Sequence, residues 1–193
     1  MPKTTGSADS IISLKVTLRG IRPPIWRRLL IPSHMTLADL HVAIQATIGW
    51  EDAHLHAFDI AGTAYGDPRS VDDVIAEKRL TLSALAKAAV TRFTYTYDFG
   101  DNWEHTIILE ETQNPEKDRL YPACVAGKRN CPPEDCGGPW GYQHLLAVRA
   151  DPSHPEYAEL SQWVDQDFDP EDFSTIGANA ALAARFQSPK NRG

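Results

Sequence analysis

The fold of this chain is decided by residues 12–50, which read ISLKVTLRGIRPPIWRRLLIPSHMTLADLHVAIQATIGW. Apolar and polar side chains alternate over residues 12–18, and this period of two is typical of a half-buried strand. Pro23 and Pro24 mark a turn, because proline cannot donate a hydrogen bond to a sheet. The apolar run that follows predicts a second strand at residues 25–32.

A helix is predicted next, and it begins at Thr36. Thr36 and Asp39 have the spacing of a capping box, with aspartate in place of the usual glutamate or glutamine. Gly49 ends the helix. One helical face carries Leu37, Leu40, His41, Ile44 and Ile48. The next strand, HLHAFDIAG, completes the order strand, strand, helix, strand, which is the order at the start of a β-grasp sheet.

The remaining elements place the chain in the α+β class. The stretch RFTYTYDFGDNWEHTIILEE alternates on both sides of FGDN and predicts a hairpin. AYGDP is typical of a turn, TLSALAKAA and GYQHLLAVRA are typical of helices, and further short helices are expected to begin at Pro155 and Pro170. We predict a β-grasp-like mixed sheet with a packed helix, followed by a hairpin and C-terminal short helices. Residues 11–187 are predicted to form one domain, with disordered ends at residues 1–10 and 188–193.

Composition limits the location and the partners. The 193 residues are 42% hydrophobic and 23% charged, which is ordinary for a globular protein. No window approaches the roughly 20 consecutive apolar residues of a membrane helix, and the N-terminus has no secretory signal. We therefore expect a cytoplasmic protein with no membrane partner. The net charge of −7 disfavours a surface that follows nucleic acid throughout.

A basic patch in the first two strands leaves a local contact with DNA open. It consists of Arg19, Arg22, Arg27 and Arg28. The alternative is a solvated strand face that balances the acidic C-terminal third of the chain. DNA binding through the patch would weaken steeply as the salt concentration rises.

All three cysteines lie in one stretch, PACVAGKRNCPPEDCGGPWGY, at residues 122–142. Its proline and glycine content predicts a loop, and an odd number of cysteines in a reducing compartment argues against disulfides. Three thiolates and one histidine would complete a tetrahedral zinc site. The predicted zinc ligands are Cys124, Cys131, Cys136 and His105, with His54, His56 and His144 as alternatives to His105. Cysteines that serve only as small buried apolar residues are the other explanation.

Further candidate residues lie in the strand and the turn before the cysteine stretch. His54 and His56 are two apart in a predicted strand, so they would share a face and could bind a metal or cap a sheet edge. Asp98 and Asp101 bracket the glycine turn of the hairpin, where aspartate often bonds its own backbone. His105 would lie on an apolar strand face, where most histidines are core residues.

Two acids in the cysteine stretch complete the set of candidates. Glu134 and Asp135 could act as acid, base or metal ligand, or could cap the helix that follows. The sequence contains no phosphate-binding loop, no nucleophile elbow and no His-Glu-x-x-His motif. No reaction is therefore indicated by a catalytic motif.

Four separated motifs resemble the plasmid pRiA4b ORF-3-like family, described as passenger proteins of bacterial insertion elements. They are, in chain order, GIRPPIWRRLLIP, TLADLHVAIQATIGWEDAHLHAF, YTYDFGDNWEHTI and CVAGKRNCPPEDCGGPWGY. The resemblance covers residues 12–186. It implies an α+β fold, a setting in bacterial mobile DNA and no defined catalytic activity.

Two hypotheses for function follow. The first is an accessory or binding protein of plasmids or insertion elements, whose partner is a protein or nucleic acid of the mobile element. Its surface would be a groove formed by HLHAF, YDFGDNWEH and CPPEDCGG, with contact area from Trp103 and Trp140. The second is a metal-dependent hydrolase or nuclease, with His54, His56, His105, Asp98 and Asp101 around an ion and Glu134 or Asp135 as base. An enzyme requires these side chains in one pocket with an open coordination position, which distinguishes the two classes.

Overall fold

The structure is a computed structural model that describes residues 10–165 and 167–187. Its strands are β1 (Ile11–Leu18), β2 (Trp26–Pro32), β3 (His56–Ile60), β4 (Thr63–Gly66), β5 (Ile75–Ala76), β6 (Arg92–Tyr97), β7 (Trp103–Gln113) and β8 (Ala123–Lys128). They form one sheet in the order β5-β4-β3-β6-β7-β1-β2-β8. Neighbouring strands run antiparallel, except that β4 and β5 are parallel.

Helices accompany the sheet, and together they confirm the predicted α+β class. They are α1 (Leu37–Ile48), α2 (Leu82–Lys87), α3 (Gly138–Arg149), α4 (Tyr157–Trp163) and α5 (Thr175–Phe186), with one 3-10 turn at Glu77–Arg79. Within the described residues, no helix is long and apolar enough to cross a membrane. The predicted disordered ends lie outside the described residues except for Ser10, whose hydroxyl donates to the Ser33 hydroxyl.

The first hairpin and its helix form as predicted. β1 and β2 pair antiparallel, and α1 begins after Thr36 with both hydrogen bonds of the capping box to Asp39. Gly49 ends the helix with a φ of 96°, a conformation that favours glycine. The order strand, strand, helix, strand is therefore confirmed, and the wider likeness to a β-grasp sheet stays a prediction.

The second hairpin lies in the middle of the sheet and is also confirmed. β6 and β7 pair as far as Tyr97 and Trp103, and the Asn102 amide donates to the Asp98 carbonyl across the turn at 2.6 Å. Alternate side chains of both strands are buried: Phe93, Tyr95, Tyr97, Trp103, His105 and Ile107. This buried face is the centre of the core.

Three local predictions were wrong. AYGDP is not a turn throughout, because β4 extends to Gly66. The cysteine stretch is not all loop, because β8 pairs with β2 at the sheet edge. Of residues 123–126 only Val125 favours a strand, so pairing with β2 and not local propensity makes this segment a strand. The last helix begins after Ser174 and not at Pro170, since the Ser174 hydroxyl caps it by accepting from the Gly177 amide.

Candidate functional site

Three loops meet at one end of the sheet. Antiparallel pairing sets His56, the first residue of β3, opposite Tyr97, the last residue of β6. The loop at residues 49–55 therefore lies beside the hairpin turn at residues 98–102. The loop at residues 129–137, between β8 and α3, makes hydrogen bonds to both.

One histidine and two carboxylates from these loops come together, and we call them the three-loop site: His54, Asp98 and Asp135. His54 Nε2 lies 3.1 Å from Asp135 Oδ1, and His54 Nδ1 lies 3.8 Å from Asp98 Oδ2. The three potential ligand atoms all lie within 4.8 Å of one another. The side chains of Asp98, His54 and Asp135 are 13%, 30% and 71% exposed. The site is thus anchored on the hairpin side and open to solvent on the other.

The hairpin turn orients Asp98. Its φ of 55° is left-handed, a conformation that aspartate tolerates better than most residues. Asp98 Oδ1 accepts from the Gly100 amide at 2.9 Å, and the Asp98 amide donates to the Leu55 carbonyl at 2.8 Å. Oδ2 remains directed towards His54.

The loop at residues 129–137 is fastened by Glu134. Its carboxylate accepts from the Tyr97 hydroxyl and, at 2.8 Å, from the Glu51 amide. Burial and the bond to Glu134 both raise the pKa of Tyr97, so this hydroxyl keeps its proton at neutral pH. Glu134 therefore holds the loop in place, and it is not free to act as the predicted base.

Glycines allow the same loop to lie directly on the hairpin turn. Gly138 has a φ of 68°, and a Cβ at this position would lie 2.4 Å from the Asp101 carbonyl oxygen. The Gly137 amide donates to Asp101 Oδ2 at 3.1 Å. Asp101 therefore supports the backbone that carries Asp135, and it is not a member of the three-loop site.

A cleft of about 470 Å³ opens beside the three-loop site. Its walls are aromatic and acidic, and they include Trp50, Trp163, Phe168, Glu51, Glu134 and Asp165. Carboxylates together with an imidazole suit borderline divalent cations such as zinc or manganese. Three protein ligands would leave coordination positions free on the cleft side.

The relatives of this chain agree with the family indicated by its motifs. The sequence profile of the family described as "Plasmid pRiA4b ORF-3-like protein" matches residues 10–176. The chain belongs to this family. It is 38% identical over 173 residues to "Uncharacterized protein y4hQ" of Sinorhizobium fredii, which covers 88% of this chain and 87% of that protein. It is also similar to the crystal structure of the protein of unknown function MM3350 from Methanosarcina mazei Go1, with a TM-score of 0.82, 40% identity and coverage of 88% of this chain and 98% of that one.

In this family member the structure does not bring the three cysteines and His105 together as the predicted zinc site. Two groups of histidines, cysteines and acids have ligand atoms close enough to hold a metal ion among the described residues, and neither includes a cysteine. Cys124 and Cys131 are buried in the hydrophobic core, and burial raises the pKa of Cys131 to about 11. Burial likewise raises the pKa of Cys136 to about 12. The raised pKa values keep all three thiols protonated at neutral pH. Cys124 and Cys131 are buried in the manner of small apolar residues, and Cys136 is half-buried.

His105, the predicted fourth zinc ligand, is also a core residue. It is 0% exposed, and its Nδ1 lies 3.0 Å from the Trp103 carbonyl oxygen. Burial lowers the pKa of His105 to about 4. His105 belongs to neither group with metal-binding spacing among the described residues, and its burial leaves no surface for contact with a partner.

The two tryptophans predicted to supply contact area differ. Trp103 is fully buried beneath the hairpin, so the prediction for it is wrong. Trp140, at the start of α3, is 86% exposed and remains available to a partner. Exposed aromatic side chains of this size are common in interfaces.

The predicted basic patch is not one surface. Arg27 is only 2% exposed, and its guanidinium donates to the Thr47 carbonyl at 3.0 Å and contacts Cys131 Sγ at 3.2 Å. Arg28 makes two bonds of 2.7 and 2.8 Å to Glu110. The prediction that Arg27 contacts DNA is wrong, because its guanidinium is buried and bonds to buried polar groups within the fold.

A second group of potential metal ligands differs from the grouping that the sequence predicts. His56 does not join His54; its ring stacks on His41 of α1. With Asp52, these two histidines form the other group with metal-binding spacing. His41 is not among the candidate residues that the sequence indicates, because it lies on the apolar face of α1. One signal in the sequence could have indicated this group. It is a histidine on an apolar helix face, followed further along the chain by an acid and a second histidine.

Proposed function

We propose that this protein is a metal-dependent binding protein, an accessory factor of plasmids or insertion elements, whose working surface is the three-loop site and its cleft. The proposal is carried by one observation: His54, Asp98 and Asp135, from three loops distant in sequence, converge with potential ligand atoms within 4.8 Å of one another. The setting in mobile DNA rests on the family.

The cation is proposed to be zinc or a similar divalent metal. Both carboxylates would neutralise its charge, and the imidazole of His54 disfavours the purely oxygen-ligated calcium and magnesium. Asp98 is held by its turn and Asp135 by the braced loop, so most of the site exists before the metal binds. A bound cation would also offer its free coordination positions to an oxygen or nitrogen donor of the partner.

Hydrolysis is the second candidate function, favoured by the open side of the site. A metal held by three protein ligands keeps positions for water and substrate, and it lowers the pKa of the bound water. Glu134 is engaged by Tyr97 and Glu51, so the nucleophile would come from the metal-bound water itself. Bis(p-nitrophenyl) phosphate, a simple phosphodiester, is the test substrate.

The experiment is a calorimetric titration of Zn²⁺ and Mn²⁺ into chelator-stripped protein. The variant Asp98→Asn with Asp135→Asn keeps side-chain size and the left-handed backbone that asparagine tolerates. Its affinity should fall by more than the roughly 10–100-fold caused by loss of an outer partner. Asp118→Asn is the matched control, because Asp118 is exposed and also has a positive φ of 64°.

Equal affinity of the double variant and the control for both metals would overturn the proposal. Metal-dependent cleavage of the phosphodiester, lost in the double variant and retained in the control, would favour the hydrolase. Metal binding without cleavage would favour the accessory binding protein.

A further inference from the structure

The cleft beside the three-loop site is lined by more carboxylates than basic side chains. The four carboxylates belong to Glu51, Glu134, Asp135 and Asp165. Among the lining residues that the structure describes there is no lysine and no arginine, and His54 is the one side chain that can carry a positive charge. The lining therefore has an excess of negative charge.

A divalent cation in the three-loop site would balance only part of this charge. Asp98 and Asp135 together supply two negative charges, which equal the two positive charges of the ion. The carboxylates of Glu51, Glu134 and Asp165 would remain. The hydrogen bonds that fasten Glu134 come from neutral donors, so they do not cancel its charge. The cleft thus stays acidic when the metal is bound.

The rest of the lining is largely aromatic and partly open to solvent. Trp163, the last residue of α4, is 48% exposed, and Phe168 is half-buried. Trp50 is 4% exposed and stacks on Tyr97 with ring centres 4.9 Å apart. Aromatic faces attract organic cations, and the planar guanidinium of arginine stacks on them. Aromatic rings beside carboxylates therefore suit a cation that has a flat apolar face.

One guanidinium of the chain already lies beside this wall. Arg149 of α3 donates to the Phe168 carbonyl at 3.2 Å and to the Asp165 carbonyl at 3.5 Å. Its guanidinium carbon lies 6.0 Å from the centre of the Phe168 ring. Arg149 is not a lining residue of the cleft, and the two carbonyls that it binds are neutral. The wall is therefore able to hold a guanidinium against its aromatic ring.

We infer that the cleft receives an arginine side chain from an arginine-containing segment of a partner protein. Glu51 and Asp165 would pair with the guanidinium, and Trp163 would stack on it. Arginine fits better than lysine, because its planar fork binds a carboxylate through two parallel hydrogen bonds and also stacks. The inference rests on the proposed function in taking this cleft as the working surface, and it names the chemistry of the partner.

Other occupants fit the cleft less well. Nucleic acid is disfavoured, because its phosphates would meet the four carboxylates and no lysine or arginine of the lining. A purely apolar segment would bury the carboxylates without partners, which costs free energy. A segment that carries arginine satisfies both the carboxylates and the aromatic rings.

The test is a fluorescence anisotropy titration of the full-length, chelator-stripped protein with the labelled peptide acetyl-Gly-Arg-Gly-Arg-Gly-amide. A second peptide has citrulline in place of each arginine, which keeps the size of the side chain and removes its charge. The ionic strength is about 0.15 M, at which attraction between exposed charges is screened beyond about 8 Å. We expect the arginine peptide to bind at least about tenfold more tightly than the citrulline peptide.

The carboxylates are tested by the variant Glu51→Gln with Asp165→Asn. It should weaken binding of the arginine peptide at least about tenfold. Both side chains are exposed, and asparagine can still accept from the Asp167 amide, so the fold should be retained. The control is Glu111→Gln with Asp118→Asn, which removes the same charge from exposed positions outside the lining. Its affinity should be unchanged.

The aromatic wall is tested by Trp163→Leu, which removes the ring and keeps an apolar side chain. Binding of the arginine peptide should weaken by about 2–30-fold, as expected for a lost cation–π contact. Trp140→Leu is the matched control, because Trp140 is 86% exposed and does not line the cleft. It should bind the peptide as the wild type does.

Equal binding of the two peptides, or equal affinity of the double acid variant and its control, would overturn the inference. Tighter binding of a labelled single-stranded oligonucleotide than of the arginine peptide would also overturn it. Either result, with metal binding intact, would leave the three-loop site standing. Arginine-dependent binding by a protein that takes up no metal would instead overturn the proposed metal site and support the cleft.

Discussion

The two halves of the segment at residues 122–138 meet different surroundings. In the first half, Cys124 and Cys131 point into the hydrophobic core. In the second half, Glu134 and Asp135 lie on the hairpin turn and border an open cleft. The cysteines, which are the usual metal ligands of such a segment, therefore serve packing. Of the two acids that lie between Cys131 and Cys136, Asp135 contacts a histidine of another loop and Glu134 contacts Tyr97 and Glu51. Spacing within one segment says less about a site than the element against which each half packs.

The two halves also differ in the contacts that hold them. Around Cys131 the buried polar groups are matched by the Arg27 guanidinium, so this half tolerates little change. Around Asp135 the contacts are a few hydrogen bonds at the surface. We expect substitutions in the first half to change stability and those in the second to change ligand binding.

The largest loss of stability is expected for Arg27→Met. The guanidinium donates to the backbone carbonyls of Trp26, Thr47 and Lys128, and each buried acceptor left without a partner costs about 1–3 kcal/mol. The free energy of unfolding in urea should fall by about 4 kcal/mol. Arg22→Met, at an exposed position, should change it by less than about 0.5 kcal/mol. Similar free energies of unfolding for the two variants would show that the first half of the segment does tolerate change.

The pH dependence of stability should show that His105 is a core residue. Its folded pKa of about 4 is below the unfolded value of about 6.5, so between these pH values the unfolded chain binds a proton that the folded chain does not. The contribution is present above pH 6.5 and is lost as the pH falls towards 4, by about 3 kcal/mol. Comparison with His105→Phe isolates it: the wild type should lose stability more steeply in this window. Parallel curves would contradict the assignment.

Gly138→Ala should disturb the second half through one steric contact. The added methyl group would meet the Asp101 carbonyl, and the positive φ adds strain of about 1 kcal/mol. Gly62→Ala is the matched control, because Gly62 has a φ of 81° and no atom within 4 Å of the added Cβ. We expect a loss of about 2–3 kcal/mol for Gly138→Ala and about 1 kcal/mol for the control. Equal losses of stability for the two variants in thermal unfolding would mean that the loop moves away from the added methyl group without further destabilising the fold.

Tyr97→Phe should have the smallest effect on stability and a specific effect on the loop. It removes the hydroxyl that donates to Glu134 and accepts from the Ala53 and His54 amides, at a cost of about 1 kcal/mol. Hydrogen exchange should accelerate at the Glu51 amide, which donates a hydrogen bond to Glu134. Exchange in β1 should not change. An unchanged rate at Glu51 would show that Glu134 does not fasten the loop.

Periodic patterns predicted the fold well, and contacts between distant segments account for what they missed. Alternation over β1, β6 and β7 and the capping box at Thr36 indicated the elements correctly. β8 was missed because its edge position depends on pairing with β2. His54, Asp98 and Asp135 were each candidates, but their convergence follows from β3 lying beside β6, which no local pattern reveals. The sequence left a core position for His105 open because of its apolar strand face, and Trp103, on the same face, is buried for the same reason.

The most direct test is elemental analysis of the purified protein in three forms. We predict that bound divalent metal is retained when Cys124, Cys131 and Cys136 are all changed to alanine, provided that circular dichroism shows a folded chain. We also predict that the metal content falls when Asp98 and Asp135 are both changed to asparagine. Metal lost from the cysteine variant and kept at the wild-type level in the aspartate variant would contradict the three-loop site and would assign the metal to the cysteines.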